Sequence, residues 1–281
     1  MLRSNNLGMD GFERLKGVIL TSGIRKSPVT SEHELLRIKQ GKISIVVYKS
    51  GKMVYEDNAD TMKIINQIFV HHSEYDYELG SDEVGKGEWY GPLIAVCTAL
   101  KPNDVVELQK MGVKDSKQLS IPEIHRLADQ IRSMNILFTV TILSPPTYNE
   151  MIVQFKKENK NLNELLAWAH SAAIKATIDK LQYQKIRVVI DKFDVEKTFR
   201  RLYGGVYILD KEKVEIIQKS KGESEIPVAA SSIIAKDIFE KEVDAMGNAF
   251  GMNFRKMNPQ DLPKSILEKV AKLHFKNIQQ N

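Results

Sequence analysis

The sequence predicts an α/β protein in two parts: a mixed sheet flanked by helices over the larger C-terminal part, preceded by a small α+β domain. Three observations predict it. Apolar and polar residues alternate over 37–57 as in a β-hairpin, strands and helices interleave from Tyr77 onward, and the polar break "SEYDYE" separates the two patterns. At 281 residues the chain is comfortable for two domains, drawn at 1–75 and 76–281.

In the first part, "RIKQGKISIVVYKSGKMVYED" alternates Ile43, Ile45 and Val47 with Ser44, Val46 and Tyr48, and "KSG" turns the chain into a second strand, "KMVYE". The helical segment "ADTMKIINQIFVHH" follows, with Met62, Ile65 and Phe69 at spacings of three and four. The second part opens on the strand "YELGSDEV", a Gly85-Lys86-Gly87 turn and the apolar strand "PLIAVCTAL". "IPEIHRLADQIRSM" is a helix with Pro122 near its start, "ILFTVTIL" is a strand that "SPPTYNE" breaks, and "NLNELLAWAHSAAIKATIDKL" is a long helix. "KIRVVID" is a buried strand ending on Asp191, "VEIIQKSKGES" a further strand, and "VAASSIIAKDIFEKEVDAM" a helix with a small-residue face. The first 30 residues match no motif and are expected to form an extension or an additional helix.

Composition narrows the function classes. The net charge of +5 and pI near 9.0 favour a polyanionic partner. Lys39, Lys42, Lys49 and Lys52 cluster around the hairpin with Tyr48 and Tyr55 among them, which suits a solvated sheet face and a nucleic-acid surface equally. The single cysteine, Cys97, lies inside an apolar strand, so a disulfide framework and a cysteine zinc site are excluded. No apolar run approaches the roughly 20 residues of a membrane span. The N-terminus does not read as a secretory signal. The expectation is a cytoplasmic, monomeric protein with no membrane partner.

Carboxylates stand at the strand ends. Asp82 and Glu83 close the first strand of the second part, Asp191 closes "RVVID", and Glu223 lies in "KGES" before the helix starting near Pro227. Taken singly, each is explained by a turn or a helix cap. If the strands are neighbours, four carboxylates meet at one sheet edge, where like charges raise one another's pKa and a divalent cation resolves the repulsion. Hard oxygen donors suit Mg2+ or Mn2+, and two such ions about 4 Å apart can clamp the attacking water and the leaving oxygen of a phosphodiester. Beside such a site, bare glycine amides let a nucleic-acid strand approach closely, although a tight turn needing φ > 0 accounts for the same glycines.

These segments resemble the type 2 ribonuclease H family, and within it ribonuclease HIII. "GSDEVGKGEWYGPL" is similar to the family's opening Asp-Glu strand with its Gly-x-Gly turn. "VKDSKQLS" (113–120) is similar to its Asp-Ser-Lys segment, "KNLNELLAWAHSAAI" to its Asn-x-Asn helix, and "PVAASSIIAKDIF" to its late small-residue helix. The first part, with "LLRIKQGKISIVVYKSGKMVYE", resembles the TATA-box-protein-like domain that precedes the catalytic domain in ribonuclease HIII. The resemblance implies an RNase H-like fold and endonucleolytic cleavage of the RNA strand of RNA/DNA hybrids with Mg2+ or Mn2+, giving 3′-hydroxyl and 5′-phosphate ends. It implies Asp82, Glu83, Asp191 and Glu223 as the catalytic, metal-binding set, with Asp194 the alternative to Glu223. It further implies that Gly85, Lys86 and Gly87 meet ribose 2′-hydroxyls, that Lys117 meets a phosphate, and that Lys39, Lys42, Tyr48 and Lys49 add affinity for the hybrid. His170 is expected to pack within its helix, and Asn161 and Asn163 to cap it. Three other readings remain: a ribonuclease HII-like enzyme cutting at single ribonucleotides in duplex DNA, a non-catalytic nucleic-acid-binding module, and a different metal nuclease such as a DNA exonuclease. Lys86, Asp194 and residues 1–30 depart from the family's usual pattern.

Overall fold

The computed structural model of the chain describes residues 2–69, 75–114, 116–191, 200, 209–219, 222–275 and 278. The chain divides into two compact units, Met1–His72 and Ser73–Asn281.

In the first unit, the opening residues form a strand and a helix, β1 (Leu2–Asn6) and α1 (Gly8–Thr21), followed by β2 (Glu34–Gln40), β3 (Ile43–Tyr48), β4 (Lys52–Glu56) and α2 (Ala59–Phe69). The strands form one antiparallel sheet in the order β1-β4-β3-β2. The alternation of β3 and β4 is satisfied from one side: Ile45, Val47, Met53 and Tyr55 join Leu15 and Ile19 of α1 and Ile64, Ile65 and Ile68 of α2 in a single apolar core.

In the second unit, β5 (Tyr77–Val84) and β6 (Leu93–Leu100) are followed by α3 (Pro102–Met111), α4 (Ile121–Ser133), β7 (Leu137–Leu143), α5 (Pro145–Lys157) and α6 (Leu162–Ile178). Then come β8 (Ile186–Asp191), β9 (Val214–Lys219), α7 (Ile226–Phe250) and α8 (Lys264–Val270). The sheet order is β7-β6-β5-β8-β9; β6 runs antiparallel to β5 and β7, while β5, β8 and β9 are parallel. Every residue of β6 is buried because helices cover both faces. Ile94 and Val96 join residues of α3, α4 and α7 in one core; Cys97 and Ala99 join Ala173, Ile174 and Ile178 of α6 in another. Local capping fixes where the helices begin. Ser120 and Glu123 form a capping box at α4, and Asn161 accepts from the backbone N–H groups of Asn163 (3.0 Å) and Glu164 (3.3 Å) at α6.

Candidate active site

The parallel pairing of β5 with β8 brings the acidic strand ends together. Ser81 pairs with Ile190, so Asp82 and Asp191 occupy the next level of adjacent strands, at the carboxyl ends where open α/β sheets bind ligands. Asp82, Glu83 and Asp191 line one cavity of about 570 Å3 together with Ser116, Lys117, Ser232 and Lys236. A short 3-10 turn, Gly222–Ser224, carries Glu223. It is anchored on β8 by the backbone N–H of Gly222, which donates to Asp191 Oδ1 at 2.9 Å. A Cβ on Gly222 would lie 2.9 Å from the Asp191 Cα, so glycine permits the approach. Asp194 and Asp115 lie outside the described residues.

Strand alternation sends the two adjacent carboxylates to opposite faces of the sheet. On the α6 side, Glu83 Oε2 meets His170 Nε2 at 3.0 Å, and His170 Nδ1 meets Ser81 Oγ at 2.8 Å. On the α7 side, Asp82 is hydrogen-bonded by Ser232, whose Oγ also lies 2.7 Å from Ser116 Oγ in the Asp-Ser-Lys segment. The electrostatics differ accordingly. Burial and the charge of Glu83 push Asp82 up to about 7, against the opposing bond from Ser232. Burial also acts to raise Glu83, but the hydrogen bond and charge of His170, with the charge of Lys86, outweigh it and hold the carboxyl below its ordinary value.

Among the described residues, no three His, Cys, Asp or Glu side chains are gathered closely enough to form a ready-made cation site. The donors that line the cavity nevertheless suit a hard divalent cation. They are carboxylate oxygens from two adjacent strands, and burial together with the charge of Glu83 makes the ionised form of Asp82 costly, a cost that a bound cation offsets. The turn carrying Glu223 adjoins them.

The glycine turn leaves β5 directly beside Glu83. Gly85 has φ +90°, and a Cβ there would lie 2.1 Å from the Pro92 carbonyl oxygen, so this glycine is required by the fold. Gly87 is exposed, and a Cβ there would meet nothing within 4 Å. In the first unit, Lys39, Lys42 and Lys49 are exposed on and around the β2–β3 hairpin, with Tyr48 half-buried at the end of β3. Sequence reasoning missed Ser81, Ser232, Lys236 and the role of His170. The polar residues in the otherwise small and apolar helices "AWAHSAAI" and "VAASSIIAKDIF" are the signal that could have found them.

A mixed sheet of this order, covered by helices and bearing acids at adjacent strand ends, defines the class: an RNase H-like nuclease of type 2, and the ribonuclease HII family model matches residues 79–277. A ribonuclease HIII from Protochlamydia amoebophila is 30% identical over 261 residues, covering 84% of this chain and 82% of that protein. One from Chlamydia abortus is 31% identical over 273 residues, covering 88% of this chain and 87% of the relative. The chain belongs to the ribonuclease HIII family, and is therefore an RNA-degrading nuclease, a hydrolase. The fold is shared along the whole length with Bst-RNase HIII in complex with Mn2+, at a TM-score of 0.63 and 23% identity, covering 99% of this chain and 97% of that one.

Proposed function

We propose that the chain hydrolyses the RNA strand of RNA/DNA hybrids internally, with divalent cations at the acidic strand ends, leaving 3′-hydroxyl and 5′-phosphate ends. The observation that carries this reading is the meeting of Asp82, Glu83 and Asp191 in one cavity whose wall also bears Lys117 and Lys236. The Mn2+ bound by the Bst relative adds support.

Asp82, Glu83, Asp191 and Glu223 would hold the cations. When bound, two such ions lower the pKa of the attacking water and offset the charge on the leaving oxygen, so no histidine base is needed. The residues of the chain do the rest. Glu83 reaches from the strand end toward the ribose 2′-hydroxyl. Gly85, Lys86 and Gly87 present main-chain groups to the adjacent ribose, so RNA is distinguished from DNA without reading bases. Lys117 and Lys236 draw the phosphate to the cavity, and Lys39, Lys42, Tyr48 and Lys49 of the first unit add affinity for the backbone.

Strand-specific cleavage with Mg2+ or Mn2+ tests this reading. A hybrid with a long RNA run is expected to be cut internally while duplex DNA stays intact, and Asp191→Asn abolishes the cut. Efficient cleavage on the 5′ side of a lone ribonucleotide in duplex DNA would favour HII-like action instead. Hybrid binding with no cleavage under either metal would point to a binding module.

A further inference from the structure

We propose that His170 is the positioning residue of this site: anchored through Nδ1 on Ser81, it holds the Glu83 carboxylate through Nε2 and fixes which carboxylate oxygen faces the cavity. The inference deepens the proposed function and rests on it.

His170 lies in the middle of α6, and its side chain is 0% exposed. Its ring spans two residues of β5 that share a face, Ser81 and Glu83. The Ser81 hydroxyl donates to the Val96 carbonyl oxygen at 3.0 Å, and a hydroxyl has one proton to give. That hydroxyl also meets His170 Nδ1 at 2.8 Å, so the ring orientation is set from the strand itself. The remaining nitrogen, Nε2, then meets Glu83 Oε2 at 3.0 Å in a charge-assisted bond. With Oε2 engaged on the α6 side, Oε1 is the oxygen left to serve the cavity that Glu83 lines.

Packing alone does not account for this residue. The neighbours of His170 along α6 include Ala167, Ala169 and Ala173, and an apolar side chain would satisfy such surroundings without the desolvation that a buried imidazole suffers. Glu83, by contrast, is a carboxylate on the opposite strand face from Asp82, and the imidazole fixes it there through Oε2. Groups that orient metal-binding carboxylates from behind commonly change metal affinity or activity by about 10- to 100-fold when removed.

The test separates the two bonds. His170→Asn keeps an amide near the Nδ1 position for Ser81 and lacks the Glu83 contact; His170→Gln places a donor near the Nε2 position. Ser81→Ala leaves the ring but removes its anchor. Calorimetric Mn2+ titration of the full chain without substrate, thermal melting, and kcat and KM on an RNA/DNA hybrid are read for each. The expected result is a Mn2+ affinity and a kcat lower by about 10- to 100-fold in His170→Asn, with KM for the hybrid little changed. His170→Gln recovers most of that loss, and Ser81→Ala loses a few-fold in the same direction. His170→Asn with wild-type Mn2+ affinity and kcat overturns the inference alone. So do losses that merely follow the melting temperature, equal in His170→Asn and His170→Gln. A wild-type chain that neither binds Mn2+ nor cuts the hybrid overturns the proposed function and this inference together.

Discussion

Asp82 and Glu83 are adjacent in sequence yet answer to different helices, Asp82 to Ser232 of α7 and Glu83 to His170 of α6. The two acids were legible as a pair at a strand end; their divergence was not, because it depends on which helix covers each face. A second buried acid shows the same dependence at the level of stability. Asp237 of α7, with a side chain 0% exposed, binds His125 Nδ1 at 2.6 Å, Lys241 Nζ at 3.0 Å and the Arg132 guanidinium. Burial acts to raise its pKa, but those three bonds outweigh it and hold the carboxyl below its ordinary 3.8. A depressed carboxyl contributes its stabilisation above the unfolded value and loses it as pH falls through the lower folded one. His125, Arg132 and Lys241 are partly exposed and can be hydrated once the carboxylate is gone, so Asp237→Asn is expected to cost about 1–3 kcal/mol at pH 7. Urea unfolding should show that difference shrinking below about pH 3.8, with the wild type losing stability and the variant responding less to acid.

At the scale of elements, the turn after β5 is tied down by a segment far along the chain. Tyr90 bridges Ala271, the Gly91 N–H donates to the Val270 carbonyl at 3.0 Å, and the Lys272 N–H donates to the Trp89 carbonyl at 2.8 Å. The Lys272 side chain is fully buried and donates to the carbonyls of Glu88 at 3.0 Å and Gly91 at 2.6 Å, with Tyr90 at 3.4 Å. Lys272→Met removes an amine donor from buried acceptors and is expected to cost about 1–3 kcal/mol, read by chemical denaturation. The two glycines of the turn should separate cleanly. Gly85→Ala forces a side chain into φ +90° and against Pro92, and is expected to destabilise by more than about 1 kcal/mol. Gly87→Ala meets open space, so stability should stay within about 0.5 kcal/mol while KM for the hybrid rises. An unchanged KM would remove the ribose-facing role from this turn. Nothing in the sequence distinguished the two glycines, since both fit one turn pattern.

At the scale of the whole molecule, the basic residues fall into two settings. Lys117 and Lys236 line the acidic cavity of the second unit, while Lys39, Lys42 and Lys49 are exposed on the hairpin of the first. If the hairpin lysines meet phosphates of the hybrid, each releases about one counterion on binding. Replacing all three by Ala should then lower the slope of log affinity against log salt by roughly 2–3, raise KM, and leave kcat unchanged. Equal salt slopes in the wild type and the triple variant would assign this hairpin face to solvent.

The sequence by itself determined the elements that local pattern encodes: the alternating strands of the hairpin, the acid-tipped strands, a helix starting near Pro122 and a helix opened by Asn161. It also determined which acids stand at strand ends, because a strand's last residue is set by its own short-range pattern. Residues 1–30 were the exception, where β1 gains its meaning only by pairing with β4, some fifty residues away. Tertiary structure alone decided the partners. Asp82 and Asp191 became neighbours through the parallel register of β5 and β8, Gly222 reached Asp191 across the sheet end, and His170 reached Glu83 through helix packing. These contacts join positions 31 to 109 residues apart, where no periodicity operates. They are chosen by which buried faces fit together and which polar groups must find partners there.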